Sequence, residues 1–255
     1  SDGTASGTVM VKDINSGSNY GGTGCWCYIR EVVGNTLYFA ANDGTNGTEL
    51  WKSDGTASGT VMVTDINSGS GGSGPQYLAA VGNTLFFYAT DGTNGYELWK
   101  SDGTASGTVM VKDIYSGSSS SSLNYLTVFG NTLFFRANDG THGTELWKSD
   151  GTASGTVMVT DIRSGSSSSS PAYLTAVGNT LYFAANDGTN GKELWKSDGT
   201  ASGTVMVKDI HSGTSDGDPD YLTAVGNTLY FRATDGTNGY ELFTNLGVYT
   251  EVTYS

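Results

Sequence analysis

The chain has 255 residues, including 38 glycines and 3 prolines, and a formal net charge of −13. This charge argues against binding to nucleic acid and against adsorption to anionic lipid, because both require clustered lysine and arginine. The apolar runs are only a handful of residues long, so no segment is predicted to insert into a membrane. Between these runs, glycine, serine, threonine, asparagine and aspartate form short clusters, which is typical of strands joined by tight turns.

The start of the chain has two unusual features. Ser1 lies inside a repeated motif, which favours a processed or trimmed N-terminus. Further on, Cys25 and Cys27 flank Trp26. In an extended segment the two cysteine Cα atoms would lie about 6.6 Å apart, near the upper limit for a disulfide. A strained bridge between them, an intermolecular bridge and two free thiols all remain open, and a lone CxC pair does not predict a metal site.

The chain is a tandem array with a period of 48 residues. The tripeptide Gly-Asn-Thr marks the period and begins at Gly34, Gly82, Gly130, Gly178 and Gly226. Glu-Leu-Trp begins at Glu49, Glu97, Glu145 and Glu193, and becomes Glu241-Leu242-Phe243 in the fifth copy. Ser-Asp-Gly-Thr-Ala-Ser-Gly-Thr begins at Ser1, Ser53, Ser101, Ser149 and Ser197. Its first spacing is 52 residues, because four extra residues lie in the stretch that holds the cysteines.

Each repeat predicts four strands. In the third repeat these are strand A from Tyr125 to Phe129, strand B from Leu133 to Ala137, strand C from Glu145 to Lys148 and strand D from Val157 to Ile162. Asp-Gly steps and Asn-Gly or His-Gly steps between the strands supply the positive φ values that hairpin turns need. Apolar residues point to both faces of strand B, so both faces of each sheet must be covered by neighbours.

A repeat of this length with four short strands is typical of a propeller blade. We therefore predict an all-β fold, in which residues 1–255 form a single five-bladed β-propeller with four antiparallel strands per blade. The predicted blades cover about residues 28–66, 76–114, 124–162, 172–210, and 220–244 together with 7–14.

The chain ends decide how such a ring closes. The chain begins with a D strand, Val9 to Ile14, whereas the fifth repeat supplies only strands A to C, from Tyr221 to Phe243. The N-terminal strand is therefore predicted to complete the last blade. The alternating tail over residues 248–255 is the alternative for the same edge.

The recurring Glu-Leu-Trp-Lys-Ser-Asp-Gly-Thr, as at Glu49 to Thr56, resembles the bacterial ELWxxDGT repeat family. The resemblance covers nearly the whole chain in four full copies, and the fifth copy departs from it from Phe243 onward. It implies a propeller-like domain of secreted or cell-surface bacterial proteins and no defined activity, so it assigns no site residues. Near-identical copies are also typical of a recently amplified or consensus-engineered array.

The sequence offers little for catalysis. His142 and His211 lie at non-equivalent positions of different repeats, whereas a catalytic triad needs its nucleophile, base and orienting group in one place. We interpret both histidines as turn substitutions. We predict no enzyme activity, no catalytic residue and no cofactor.

Two repeated features have competing interpretations. The Asp-Gly-Thr-Asn loops, as at Asp43 to Asn46, resemble calcium loops, but each offers one aspartate where calcium requires several carboxylates. We interpret these loops as turns capped by the aspartate and predict no metal site. The strand C tryptophans are able to stack on sugars, but their place in the middle of a strand favours packing between blades, and Phe243 keeps the bulk there. They are Trp51, Trp99, Trp147 and Trp195.

The copies differ mainly at one rim of the predicted blades, where strand B ends, strand C begins and strand D ends. The differences bring tyrosine, arginine and tryptophan to this rim, and these residue types are common at binding hot spots. The competing interpretation is neutral drift at exposed positions. The candidate ligand-binding residues are Trp26, Tyr88, Tyr96, Tyr115, Arg136, Arg163, Lys192, His211, Arg232 and Tyr240.

The sequence thus predicts a non-enzymatic, extracellular or cell-surface module for binding or adhesion, with repeated sites for a glycan or a protein ligand. The alternative is a structural scaffold that self-associates through the strand edges at its termini.

Overall fold

The computed structural model describes residue 1, residues 3–16 and residues 30–246. The predictions for Cys25, Trp26 and Cys27 and for the tail over residues 248–255 lie outside the described residues. Within the described residues no helix is long and apolar enough to cross a membrane.

The described residues form nineteen strands in five antiparallel sheets, each built from consecutive strands. Sheet 1 contains β1 (Arg30–Val33), β2 (Thr36–Asn42), β3 (Thr48–Ser53) and β4 (Val61–Met62). Sheet 2 contains β5 (Gln76–Val81), β6 (Thr84–Thr90), β7 (Tyr96–Ser101) and β8 (Val109–Lys112). Sheet 3 contains β9 (Asn124–Phe129), β10 (Thr132–Asn138), β11 (Thr144–Ser149) and β12 (Val157–Thr160). Sheet 4 contains β13 (Ala172–Val177), β14 (Thr180–Asn186), β15 (Lys192–Ser197) and β16 (Val205–Lys208). Sheet 5 contains β17 (Asp220–Val225), β18 (Thr228–Thr234) and β19 (Tyr240–Thr244).

The all-β prediction is confirmed, and so is the assignment of four antiparallel strands to a repeat in sheets 1 to 4. In the third repeat, strands β9 to β12 differ from the predicted strands by at most two residues at any end. The turn between β9 and β10 passes through Gly130 at a φ of +62°. This left-handed conformation favours glycine because an added Cβ atom would be strained there.

The chain separates into two compact units, residues 1–121 and residues 122–255. Unit 1 holds sheets 1 and 2, and unit 2 holds sheets 3, 4 and 5. Each unit has its own apolar clusters. The interpretation of residues 1–255 as one closed ring stays a prediction.

Sheet 5 has three strands among the described residues, whereas the other sheets have four. Residues 3–16 contain no strand, which differs from the predicted D strand over Val9 to Ile14. The side chains of Val9 and Met10 are 70% and 78% exposed, so no apolar core holds this segment. Its Lys12 ammonium group instead donates a hydrogen bond of 2.7 Å to the carbonyl oxygen of Thr60. The expected fourth strand of sheet 5 is therefore missing from the described part of the chain.

Neighbouring sheets pack against each other within each unit. In unit 1, Leu50 of sheet 1 and Phe87 of sheet 2 belong to one buried cluster. In unit 2, Leu146 of sheet 3 and Phe183 of sheet 4 share a second cluster, and a third joins sheets 4 and 5. Full burial of one such side chain stabilises the fold by about 1.5 to 3 kcal/mol, so these clusters are what hold adjacent sheets together.

The strand C tryptophans are core residues, as predicted. Trp51, Trp99 and Trp147 are at most 8% exposed. Trp99 belongs to the cluster that joins sheets 1 and 2, and Trp195 packs against the cluster that joins sheets 3 and 4. In the fifth repeat Phe243 stacks on Phe231 of the neighbouring strand, with ring centroids 5.7 Å apart. Packing between sheets therefore accounts for these rings without a ligand.

The glutamate of each complete Glu-Leu-Trp segment holds the serine-rich loop that follows strand D. The Glu97 carboxylate accepts hydrogen bonds of 3.0 Å from the backbone N–H groups of Ile114 and Ser121. A buried carboxylate and a buried backbone N–H are both costly when unpaired, so each satisfies the other here. The four fully buried glutamates are Glu49, Glu97, Glu145 and Glu193.

Burial affects the protonation of these glutamates. Desolvation raises the pKa of Glu97 to about 7, although the hydrogen bonds from the loop amides act in the opposite direction. Burial also raises the pKa of the other three, Glu49, Glu145 and Glu193. The loop anchors are thus carboxyl groups held in a poorly solvated environment.

Replacing Glu145 with alanine is expected to lower the free energy of unfolding by about 3 kcal/mol. The backbone N–H groups of Ile162 and Ser169 would lose their acceptor inside the protein. Glu241, which is exposed in β19, is the matched control, and Glu241→Ala is expected to change the free energy by less than about 0.5 kcal/mol. Urea denaturation followed by tryptophan fluorescence measures both variants. Equal losses from the two substitutions would contradict the anchoring role.

Candidate functional site

A tyrosine near the start of strand A adopts a left-handed backbone conformation in four of the repeats. Tyr77, Tyr125, Tyr173 and Tyr221 have φ values of 52°, 56°, 56° and 51°. Such values are outliers for bulky residues. Each tyrosine lies where strand A gains one residue relative to strand B, which is a β-bulge. Bulges re-aim side chains, and backbone strain of this kind clusters at functional sites.

In unit 2 these tyrosines form a row of rings. The centroids of Tyr125 and Tyr173 are 6.0 Å apart, and those of Tyr173 and Tyr221 are 6.4 Å apart. A cation lies over each ring, and such contacts contribute about 0.5 to 2 kcal/mol each. They are Arg136 over Tyr125, Lys192 over Tyr173 and Arg232 over Tyr221, at 4.9, 5.6 and 5.1 Å from the ring centroids.

Two of these three cations are also paired with carboxylates. The Arg232 guanidinium donates two hydrogen bonds to the Asp220 carboxylate, which raises the pKa of Arg232. The Lys192 ammonium donates to Asp218 at 2.8 Å, and this hydrogen bond lowers the pKa of that aspartate. The Tyr240 hydroxyl donates to the other oxygen of Asp218 at 3.1 Å. Lys192 and Tyr240, which the sequence singled out separately, thus share one carboxylate, and the Arg232 guanidinium lies 4.6 Å from the centroid of the Tyr240 ring.

An open cavity of about 390 Å³ lies between sheets 3 and 4, beside the tyrosine row. Strands β9 and β13 each supply a tyrosine, and β10 and β15 supply Arg136 and Lys192. The serine-rich loop after β12 supplies Arg163 and completes the wall. The structure therefore brings together three residues that the sequence placed on one rim: Arg136, Arg163 and Lys192. The lining residues with side chains suited to a ligand include Tyr125, Arg136, Arg163, Ser170, Tyr173 and Lys192.

Arg136 and Arg163 have no carboxylate partner in the described part of the chain. The Nε atom of Arg136 is buried and meets no hydrogen-bond acceptor there. Half-buried Arg163 lies against Gly188, where an added Cβ atom would be 3.0 Å from the arginine Nε. Among the cations over the tyrosine row, Lys192 and Arg232 are paired with carboxylates, and Arg136 is paired with none that the structure describes. The Arg136 and Arg163 guanidinium groups are positioned to donate hydrogen bonds to an anionic group of a ligand.

In unit 1 the corresponding positions carry tyrosines. The ring centroids of Tyr77 and Tyr88 are 6.3 Å apart, and those of Tyr88 and Tyr96 are 5.2 Å apart. The Tyr96 hydroxyl lies so close to Gly74 that an added Cβ atom would be 2.6 Å away. Tyr88 and Tyr96, both predicted from differences between repeats, therefore lie together, in an aromatic rather than a cationic cluster.

The remaining candidate residues make other contacts. Tyr115 is half-buried, and its backbone N–H donates a hydrogen bond of 3.4 Å to the Glu97 carboxylate. The His211 Nδ1 atom is 3.2 Å from the carbonyl oxygen of Asp216, and its ring lies against Gly236. Trp26 is outside the described residues.

The Asp-Gly-Thr-Asn loops are self-contained turns, as predicted. The Asp43 carboxylate accepts hydrogen bonds of 2.8 Å from the N–H groups of Thr45 and Asn46 and from the Asn46 side-chain amide. In the third repeat His142 replaces the asparagine and places its Nδ1 atom 2.8 Å from the Asp139 carboxylate, which confirms the turn interpretation. The described ranges contain no group of three or more metal-ligating side chains.

Sequence reasoning missed the strand A tyrosines. Tyr77, Tyr125, Tyr173 and Tyr221 recur at the 48-residue period, each followed by leucine. Regular recurrence is also what framework positions show, and the sequence contains no sign that these backbones have a positive φ. Only the bulged geometry distinguishes them from ordinary strand residues.

No family model and no curated protein matches the chain. Similar solved structures include puromycin hydrolase, at a TM-score of 0.46 and 13% identity, with 85% of this chain and 37% of that chain covered. A structure from a study of two prolyl endopeptidases has a TM-score of 0.49 and 14% identity, with 82% and 33% covered. TolB from Acinetobacter baumannii has a TM-score of 0.41 and 18% identity, with 79% and 50% covered. This chain therefore spans half or less of the length of each of these proteins.

The backbone strain at the strand A tyrosines predicts how glycine and alanine substitutions there differ in stability. At Tyr173, glycine is expected to be more stable than alanine by about 1 kcal/mol, because a Cβ atom is disfavoured at positive φ. At Tyr230 of β18, where φ is not positive, alanine is expected to be more stable than glycine by about 0.5 to 1 kcal/mol. Thermal unfolding of the four variants measures both differences. The same order at both positions would show that Tyr173 is not strained.

Proposed function

We propose that this chain is a non-enzymatic, extracellular or cell-surface binding module whose tyrosine-bearing surface holds a glycan or a protein ligand. The row formed by Tyr125, Tyr173 and Tyr221, with cations over its rings, is the observation that carries the proposal. Aromatic rings beside polar groups are surfaces on which sugars and protein side chains pack. Related sites on successive repeats raise the overall affinity for a multivalent ligand.

Two further parts of the proposal have separate support. The lack of catalysis is supported by the use of both histidines within loops, His142 against Asp139 and His211 against a backbone carbonyl oxygen. The extracellular location is supported by the resemblance of the repeats to the ELWxxDGT family.

The tyrosine row is tested by replacing Tyr125, Tyr173 and Tyr221 together with glycine, which tolerates their positive φ. Binding to the glycan or cell-surface protein that the unaltered chain selects from an array is expected to fall at least about 30-fold, as for the loss of hot-spot residues. Tyr230→Phe, outside the row, is the control and is expected to keep full affinity. Circular dichroism verifies the fold of each variant. Full binding by the triple variant would place the ligand elsewhere and contradict the proposal.

We also propose that the five sheets are the blades of one closed five-bladed propeller. The even period of the repeats and the packing of neighbouring sheets within both units support this arrangement. Residues 1–14 are identical to residues 101–114 and to residues 197–210. In those two copies the segment forms β8 and β16, which pair with β7 and β15. The N-terminal copy therefore has a sequence suited to pairing with β19.

A designed disulfide tests that pairing. In sheet 2, Trp99 is aligned with Met110, and the equivalent residues are Phe243 and Met10. Paired strand residues have Cα atoms about 4.5 to 5.5 Å apart, which suits a disulfide. With both native cysteines replaced by serine, the Met10→Cys, Phe243→Cys variant is expected to form an intramolecular bond on mild oxidation. A variant that stays reduced would contradict closure through residues 1–14.

Sheet 5 has three strands among the described residues, which favours a second candidate function, a self-assembling scaffold. Leu242 of β19 is 74% exposed, whereas the equivalent Leu98 and Leu194 are buried. An uncovered strand edge is a template for pairing with another chain. If the chain self-assembles, the designed disulfide is expected to join two chains. Sedimentation velocity is then expected to show a mass that rises with protein concentration and that returns to the monomer mass when residues 1–14 are deleted. A monomer at every concentration would exclude the scaffold.

A further inference from the structure

The cavity between sheets 3 and 4 differs from the rest of the tyrosine surface in its charge. Arg136 and Arg163 line it without a carboxylate partner among the described residues. Arg232, by contrast, is already paired with Asp220. Arg136 and Arg163 are both half-buried, so the cavity presents two guanidinium groups that are available to an anion.

We propose that this cavity binds an acidic sugar residue, meaning a hydroxylated ring that carries one carboxylate. This inference rests on the proposed binding function and names the class of ligand that one of its sites takes.

The two arginines provide the site for the carboxylate. A guanidinium group donates two parallel hydrogen bonds to a carboxylate, with a geometry that an ammonium group does not offer. Arg136 is oriented by the Tyr125 ring beneath it, 4.9 Å from guanidinium carbon to ring centroid, and its Nε atom lacks an acceptor. Arg163 reaches the cavity past Gly188, because a larger residue there would press against its side chain. Both groups are therefore held ready before a ligand arrives.

The remainder of the cavity suits a sugar ring. Tyr125 and Tyr173, half-buried and 6.0 Å apart, supply apolar ring surface. Ser170 and Asn186 line the same space. The Asn186 Oδ1 atom already accepts a hydrogen bond of 2.7 Å from the Gly188 N–H, which leaves its Nδ2 group to donate to a ligand hydroxyl. Aromatic rings beside hydroxyl and amide groups match the alternating apolar and polar surfaces of a sugar.

Asp216 distinguishes an acidic sugar from a phosphate. Its carboxylate lines the cavity and accepts a hydrogen bond of 2.7 Å from the backbone N–H of Lys192. The negative charge of Asp216 repels a phosphate dianion more strongly than it repels a monovalent carboxylate. The same carboxylate is an acceptor for sugar hydroxyl groups. The combination of two arginines with one aspartate therefore favours a hydroxyl-bearing ligand with one negative charge on each ring over a phosphate dianion.

The repeats themselves supply matched variants. The positions equivalent to Arg136 are Ala40 in sheet 1 and Ala184 in sheet 4. The position equivalent to Arg163 is Asn67 after sheet 1. Arg136→Ala and Arg163→Asn thus introduce residues that the same framework already accommodates, and both variants are expected to fold. Lys208→Ala removes an exposed cation of β16 that lies outside the cavity lining and outside the tyrosine row, and it is the control.

The experiment is isothermal titration calorimetry of the full chain with tetragalacturonate, with its fully methyl-esterified form and with inorganic phosphate. The acid is expected to bind at least about tenfold more tightly than the ester. Arg136→Ala and Arg163→Asn are each expected to weaken binding of the acid at least about tenfold, as for lost hydrogen bonds to charged groups. Lys208→Ala is expected to change the affinity by less than about twofold. Raising the NaCl concentration from about 50 to about 500 mM is expected to weaken binding of the acid and to leave binding of the ester unchanged.

The outcomes separate this inference from the proposed function. If acid and ester bind equally and the tyrosine-row variant abolishes both, the surface binds glycans but the inference is wrong. If phosphate binds as tightly as the acid, the cavity is a general anion site and the inference is also wrong. If tetragalacturonate does not bind, the inference fails, and the array experiment decides on the proposed function alone.

Discussion

The arrangement of every complete repeat depends on one interaction, the hydrogen bonding of a buried glutamate to the loop that follows strand D. A carboxylate such as Glu145 is excluded from water and accepts N–H groups from two separate points of that loop. Without this acceptor the serine-rich loop would leave backbone donors unpaired inside the protein. The glutamate precedes the strand C tryptophan by two residues, so the same strand anchors the loop and contributes to the packing between sheets.

The binding surface uses this framework in two ways. The anchored loop leads directly into strand A, where the bulge at Tyr173 turns the ring out of the regular strand pattern. The same loop forms one wall of the cavity that holds Arg136 and Arg163. Residues that differ between repeats are thus placed around residues that do not differ. The repeats share a framework, but the chemistry that they present differs: cationic between sheets 3 and 4, and aromatic in unit 1.

The sequence predicted the strands, their antiparallel order and the core role of the tryptophans, because a repeated motif averages out local ambiguity. It also placed Arg136, Arg163 and Lys192 on one rim by comparison of the copies. It did not reveal the tyrosine row, because a positive φ at Tyr125 depends on the bulge and not on the residue type. It did not reveal the partners of Arg232 either, since Asp220 is a local exception in one repeat. Residues 9–14 form no strand, although the identical sequence forms β8 and β16 where it pairs with β7 and β15.

We place the ligand between sheets 3 and 4, on a framework that all repeats share. Amide hydrogen exchange, measured with and without tetragalacturonate, tests this central claim most directly. Slower exchange in residues 163–173, with no change in the equivalent loop at residues 67–77, is the predicted result. Equal protection in both loops, or no protection at residues 163–173, would contradict the assignment of the site to the cavity between sheets 3 and 4.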